Sequence, residues 1–275
     1  MTIYQHIESN KRKTVLIMFL FVAFIVFLVY IVGGSLESLI FALVFSLFSV
    51  MFSYFYADKL VLDISQAKEV SKKNYPKLYN IVENLCIGAG IPRPKIYVIE
   101  DNSINAFATG RDPKHAAVAF TTGALKRLED EELEGVAAHE ISHIKNYDTR
   151  LMVIVAILVG TVVLLVDWLW FRGDKEDQRS MSGILVFLSP LIASLIKFAI
   201  SRNREYLADS SAALLTRYPE GLARALEKIA KDNEVLRVAN SATAHLYISN
   251  PLKTVSGLFS THPPIEERIK RLRSM

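Results

Sequence analysis

Cysteine is almost absent from the sequence: among 275 residues, Cys86 is the only one. A single cysteine excludes an intramolecular disulfide, a zinc site built on several cysteines, and a redox pair within the chain. We expect Cys86 to be a small buried apolar side chain on a helix. A zinc site in this chain would have to use histidines and carboxylates instead.

A strong excess of one charge is also lacking. The 32 Lys and Arg residues are nearly balanced by 28 Asp and Glu residues, which leaves a net charge of +4. No basic run is interleaved with aromatic residues, so the sequence gives no reason to expect a nucleic-acid partner. Apolar residues, in contrast, are abundant: they make up 51% of the chain, and the mean hydropathy is +0.27. This composition predicts that the protein resides in a membrane.

Two uncharged apolar stretches near the N-terminus, residues 14–32 and 38–57, are each long enough to span a membrane. The short turn between them predicts a helical hairpin. A cleaved signal peptide is the competing interpretation of the first stretch, but the run is too long, has no A-x-A exit and is followed at once by a second span. Lysines and arginines flank the hairpin but are absent from its turn, which predicts that the N-terminus and the residues after 57 face the cytoplasm.

The rest of the chain predicts a small sheet among helices. Alternation and flanking prolines indicate strands at residues 95–100 and 116–121, with residues 105–110 as a third or edge strand. Residues 63–86 have the pattern of an amphipathic helix. Two further apolar stretches, 151–171 and 181–196, are either membrane spans or helices that are re-entrant or buried in protein.

The sequence His139-Glu140-Ile-Ser-His143 lies within a helical pattern that covers residues 130–145, with Asp130 as the expected N-cap. Residues four apart share one face of a helix, so His139 and His143 can hold one Zn²⁺ ion. Glu140 then lies next to the metal, where its carboxylate can take a proton from a water molecule that zinc has acidified. This pattern predicts metal-assisted hydrolysis.

A catalytic zinc site normally needs a third protein ligand and keeps one position for water. The segment from Arg204 to Asp209 offers Glu205 and Asp209 on one helix face. We expect Glu205 to bind the zinc, and Asp209 to accept the free ring N–H of a ligand histidine. Asp148 is a weaker candidate for the same orienting role.

Several motifs together resemble the HtpX-type membrane zinc endopeptidases, which are relatives of the CAAX prenyl protease. The resemblance rests on residues 138–143 with Asp148, residues 204–209, residues 105–110 and residues 261–264, in this order along the chain. It implies that the zinc ligands are His139, His143 and Glu205, and that Glu140 is the catalytic residue. It also implies a substrate-side strand and a role in the quality control of membrane proteins. The predicted substrate strand consists of Asn105, Ala106, Phe107, Ala108 and Thr109.

The C-terminal segment pairs His262 and two prolines with a predicted amphipathic helix over residues 265–273. His262 is either a residue at the start of this helix without chemistry, or it or the nearby Arg268 donates to the oxyanion that forms during cleavage. Residues 233–260 are rich in Ser, Thr and Asn and are expected to cover the cleft or to be disordered.

The predicted fold is mostly α with a small β-sheet: a multi-pass membrane protein with a zincin-like metalloprotease domain. We divide it into an N-terminal hairpin (1–58), a first protease part (59–150), two apolar helices (151–200) and a second protease part (201–275). The predicted function is zinc-dependent cleavage of misfolded membrane proteins at cytoplasmic segments, with one Zn²⁺ per chain. The predicted partners are protein substrates and the lipid bilayer of the cell membrane. A scaffold or transporter component with a structural zinc, and a CAAX-type prenyl-peptide protease, are the alternatives.

Overall fold

A computed structural model describes residues 3–31, 34–172, 202–237, 243–249 and 263–275. The helices and strands follow one another in this order: α1 (Ile3–Ile31), α2 (Leu36–Ile64), β1 (Lys68–Glu69), α3 (Pro76–Ala89), β2 (Lys95–Ile99), β3 (Ala106–Gly110), β4 (Ala116–Thr121), α4 (Thr122–Arg127), α5 (Asp130–Lys145), α6 (Asp148–Arg172), α7 (Arg202–Thr216), α8 (Pro219–Lys231) and α9 (Ile265–Arg273). Short 3₁₀ turns lie at Pro113–His115 and Ala244–Leu246. The prediction of a mostly helical chain with a small sheet is confirmed.

The first two helices are the predicted hairpin. Within the described ranges, Gln5–Tyr30 and Leu36–Ile64 are the helical stretches with the length and hydropathy of a membrane span. Large apolar side chains point outward from both helices; Phe19 and Phe41, for example, are 67% and 70% exposed. Such an apolar outer surface is typical of helices that face lipid. Both helices are longer than the apolar stretches, so the basic residues 11–13 lie inside α1.

The amphipathic helix predicted over residues 63–86 is wrong at its start. Residues 63–64 end α2, Gln66 then adopts a positive φ of 52°, and β1 follows at Lys68–Glu69. The next helix, α3, begins at Pro76, because a proline at the first helical position gives up no hydrogen bond. It ends before Gly90, whose φ of 69° suits the left-handed helix cap. Cys86 is buried on α3 as expected.

The strands form one mixed sheet in the order β1-β2-β4-β3. The central strands β2 and β4 are parallel and pair Tyr97 with Ala119, whereas β3 runs antiparallel to β4 and pairs Ala106 with Phe120. Strand β3 therefore lies at one edge of the sheet. It is buried along its whole length, because α5, α6 and α2 pack around it.

Helix α5 lies at the centre of the protein outside the hairpin. It contacts α3, α6, α7, α8 and β3, and its side chains from residue 135 to residue 144 are all buried. Burying an apolar side chain such as Ile141 contributes about 1.5–3 kcal/mol. Gly135 permits a close approach of α8: a Cβ there would lie 2.6 Å from the backbone nitrogen of Leu222. The candidate metal ligands of α5 are thus carried by a tightly enclosed helix.

The third apolar stretch lies within α6, which runs from Asp148 to Arg172. Residues 151–159 of this helix are mostly buried, and several of them pack against α1 and α2 in one apolar cluster. Residues 151–159 of α6 are therefore surrounded largely by protein. The fourth predicted stretch, 181–196, lies outside the described residues, and so does most of the predicted cover at 233–260.

Candidate metal centre

The N-terminus of α5 is fixed by a capping box. The Glu129 side chain accepts a backbone N–H of the first turn, and Glu132 in turn accepts the Glu129 N–H at 2.8 Å. The predicted N-cap at Asp130 is therefore displaced by one residue. Asp130 is exposed and forms an ion pair with Lys77 instead. The cap starts the helix at a defined position, and this sets the face on which His139 and His143 lie.

Three ligand-type atoms converge on one point between α5 and α7. Nε2 of His139 lies 3.1 Å from Nε2 of His143, and the two carboxylate oxygens of Glu205 lie 3.5 Å from His143 Nε2 and 3.7 Å from His139 Nε2. All three side chains are buried. Within the described ranges, this is the cluster of histidines and acids that could hold a metal ion.

The donor set and its spacing fit zinc. Tetrahedral bonds of 2.0–2.1 Å place ligand atoms about 3.3–3.4 Å apart, and the observed separations are close to that value. Each histidine also has an acceptor at its other ring nitrogen: His139 Nδ1 lies 3.0 Å from Asp209, and His143 Nδ1 lies 3.0 Å from Asp148. These contacts hold Nδ1 protonated and leave the Nε2 lone pairs directed at the shared point.

Arg268 holds Asp209, the carboxylate that accepts the Nδ1–H of His139. Its guanidinium is fully buried and donates to both carboxylate oxygens of Asp209, at 2.9 and 2.7 Å. Burial alone would raise the pKa of Asp209, but the charge of Arg268 and the hydrogen bonds from His139 and Arg268 lower it to about 2. Arg268 also lies 3.5 Å from Glu205. Asp209 therefore stays ionised and orients His139.

A different set of side chains holds Asp148, the carboxylate that accepts the Nδ1–H of His143. Asp148, at the first residue of α6, contacts His143 through Oδ2 and Arg204 Nε through Oδ1 at 2.9 Å. Asn10 of α1 donates to the same Oδ1 at 2.7 Å. The sequence prediction missed Asn10 and assigned no role to Arg204, because only the folded chain brings residues 10, 148 and 204 together.

The charges around the site favour an added cation. Burial would lower the pKa of His143, but Asp148, Glu205 and Glu140 raise it to about 9. Burial is the main reason why the pKa of His139 is lowered. The carboxylates of Asp148, Glu205 and Glu140 thus favour a cation at this buried site. A divalent metal ion fits this requirement.

Glu140 is placed to act on a group next to the metal position. It is buried beside His139 and lines a small cavity together with His143 and Glu205. Burial, reinforced by the charge of Glu205, raises its pKa to about 7, against the lowering effect of His143 and Arg268. Its Oε1 has no hydrogen-bond partner among the residues that the structure describes. A carboxylate with a pKa near neutrality is suited to accept and return a proton.

The outer edge of the predicted substrate strand is not free. The Ile248 N–H donates to the Ala106 carbonyl at 2.9 Å, Tyr247 forms a β-bridge with Phe107, and their two rings meet edge to face at 5.0 Å. Asn105 reaches the same segment through the Ser249 carbonyl. Residues 247–249 of the chain thus contact the edge that a substrate would use. A role of residues 105–109 in substrate binding stays a prediction.

The two predicted oxyanion donors differ in what the structure says of them. His262 lies outside the described residues. Arg268 lies beside the candidate metal ligands, and its hydrogen bonds go to Asp209 and to the Ile248 carbonyl at 3.2 Å. This geometry favours a positioning role for Arg268 over direct donation to a substrate.

Known proteins are similar to this chain over most of its length. The sequence pattern described as Peptidase family M48 matches residues 72–275. A Protease HtpX homolog of Dictyoglomus turgidum is 50% identical over 100% of this chain and 95% of its own length, and one of Caldanaerobacter subterraneus is 43% identical over 100% and 98%. The crystal structure of S. mikatae Ste24p has a similar fold, with a TM-score of 0.51 at 18% identity over 98% of this chain and 67% of that one.

Proposed function

The chain belongs to peptidase family M48 and is of the HtpX type, and from this premise we propose that it is a zinc-dependent membrane endopeptidase. The observation that carries the proposal is the convergence of His139, His143 and Glu205 on one point with the Glu140 carboxylate beside it.

In the proposed reaction, His139, His143 and Glu205 hold the metal. A bound zinc ion would polarise the scissile carbonyl and lower the pKa of water to about 7. Glu140 takes the proton from the attacking water and delivers it to the departing amine, so that the peptide C–N bond is replaced by a C–O bond and an N–H bond. Asp209 and Asp148 keep the two imidazoles oriented throughout.

The substrates are proposed to be cytoplasmic segments of misfolded membrane proteins. Two candidate membrane helices and the distribution of Lys and Arg support a protease domain on the cytoplasmic side, made of residues 59–150 and 201–275. His143 lies eight residues before the apolar part of α6, so at 1.5 Å per residue the proposed zinc position is within about 15 Å of the membrane surface. A substrate bound along β3 would have to replace residues 247–248 at its edge.

Two alternatives are weaker. A structural zinc site in a scaffold or transporter would fill all four positions with protein ligands, whereas the described residues bring three together. Prenyl-peptide processing is suggested by the CAAX protease relatives, but the likeness to S. mikatae Ste24p concerns the fold alone. Comparing a lipidated peptide with a misfolded membrane protein as substrates separates the two proteolytic functions.

The direct test is cleavage of casein by detergent-purified protein with zinc bound. We expect Glu140→Gln to keep the metal and lose cleavage, because the amide cannot accept the water proton. Proteolysis by this variant at the wild-type rate would refute the assigned base. For the substrate class, a membrane-tethered unfolded segment should be cut faster than the same segment in soluble form, and equal rates would contradict the proposed preference.

A further inference from the structure

The cytoplasmic end of the first membrane helix reaches the metal centre. Asn10 lies on α1 and is 95% buried, since only 5% of its surface is exposed. Its side-chain amide donates to Asp148 Oδ1 at 2.7 Å and to the Asn146 carbonyl at 2.9 Å. A buried amide side chain is stable only where its hydrogen bonds are made. Here both acceptors belong to the junction between α5 and α6.

That junction carries the carboxylate behind a predicted zinc ligand. Asp148 Oδ2 accepts from His143 Nδ1 at 3.0 Å, and the residue before it, Tyr147, has a positive φ of 60°. A non-glycine residue in this conformation is strained and persists where its surroundings hold it. The Lys11 ammonium lies 4.6 Å from the centre of the Tyr147 ring, so α1 contacts both residues of the turn.

The contacts of Asn10 form a closed set with Arg204. The Arg204 side chain donates through Nε to Asp148 Oδ1 at 2.9 Å. It also donates to the side-chain oxygen Oδ1 of Asn10 at 3.4 Å. Asn10 thus contacts both members of a buried ion pair: it donates to Asp148 and accepts from Arg204. An aspartate at position 10 could not donate to Asp148 and would place a second carboxylate beside it.

We propose that α1 is a structural part of the metal centre, and that Asn10 is a positioning residue that holds Asp148 against His143. The inference rests on the proposed zinc function and adds to it that the membrane hairpin does more than anchor the protease. Removing Asn10 frees the α5–α6 junction, loosens the orientation of His143 and weakens zinc binding, although Asn10 itself is no ligand.

The test measures zinc dissociation from the full chain in detergent, by transfer of the metal to a chelating dye. We expect Asn10→Ala and the isosteric Asn10→Asp to release zinc up to about 10-fold faster, which is the lower end of the loss of metal affinity seen when the partner of a ligand histidine is itself removed. Ser9→Ala, at the adjacent position of α1, is the control and should release zinc at the wild-type rate. The visible spectrum of the Co²⁺-substituted protein should change in both Asn10 variants and not in the control.

A double-mutant cycle separates positioning from a general loss of packing. In an Asp148→Asn background, Asn10→Ala should cause little further increase in the zinc dissociation rate, because its target is already altered. Independent, multiplicative effects of the two substitutions would overturn the proposal, and so would wild-type zinc release by both Asn10 variants. The same zinc dissociation rates can be measured in a Glu140→Gln background, in which no cleavage is expected, so the cycle does not depend on proteolytic activity. Zinc-binding wild-type protein without proteolysis would therefore refute the proposed function and leave this inference standing.

Discussion

Asp209→Asn tests the contacts behind His139 most sharply, because it removes one charge and almost no volume. In the wild type, Asp209 receives two hydrogen bonds from the buried guanidinium of Arg268 and one contact from His139. In the Asp209→Asn variant, the nearest remaining carboxylate to the Arg268 guanidinium is Glu205, at 3.5 Å. Breaking a buried ion pair on one side costs about 3–5 kcal/mol. The remaining acid should keep the effect near the lower end, about 3 kcal/mol.

The assay is thermal unfolding of the zinc-free protein in detergent, so that lost metal affinity does not enter the result. A change of 1 kcal/mol lowers the unfolding temperature of a chain of this size by about 2–4 °C, so we expect a decrease of about 6–12 °C. Zinc affinity, measured separately against a chelator, should fall about 10- to 100-fold.

The double variant Asp209→Asn/Arg268→Met shows whether the unpaired charge is the cause. Removing the arginine charge as well should make the double variant more stable than the sum of the two single effects predicts, by at least about 1 kcal/mol. The reasoning is refuted if the two effects add, or if Asp209→Asn unfolds within 1 °C of the wild type.

Two further predictions concern the core around the site. Burial would raise the pKa of Asp232, but the N–H of Ile104 and the charge of Arg127 lower it overall. The ionised Asp232 therefore contributes its full stabilisation above the unfolded pKa of about 3.9. This stabilisation is lost as the pH falls through the lower pKa of the folded state. The difference in unfolding temperature between wild type and Asp232→Asn should shrink from pH 7 to pH 3, and a constant difference would contradict this. Gly135→Ala places a Cβ 2.6 Å from the backbone of α8 and should destabilise the protein by about 1–3 kcal/mol in the same assay, whereas a neutral effect would show that α5 and α8 can separate.

Local patterns in the sequence predicted much of the fold and the metal cluster. The helix carrying His139 and His143 was expected at residues 130–145, and α5 has these bounds. The strand at 116–121 and the C-terminal helix at 265–273 also agree with β4 and α9. In each case a short periodic pattern with clear end signals determines the element.

The missed features depend on contacts between distant residues. Asn10 stands before Lys11 in the sequence, where it looks like an ordinary polar flank of a membrane helix; only the packing of α1 against α6 brings it to Asp148. The pairing of Tyr247 with Phe107 joins residues 140 positions apart and has no local signal. Sequence patterns pointed to the candidate ligand residues, but the side chains that hold them come from four separate helices.

X-ray absorption at the zinc edge of the detergent-purified protein tests the central claim most directly. We predict one zinc per chain with two imidazole nitrogens at about 2.0–2.1 Å and the remaining ligands oxygen. In Glu205→Ala the metal content should fall sharply, or the oxygen contribution should decrease in the metal that remains. A third imidazole at the metal, or an unchanged spectrum in Glu205→Ala at full metal content, would contradict a site built from His139, His143 and Glu205.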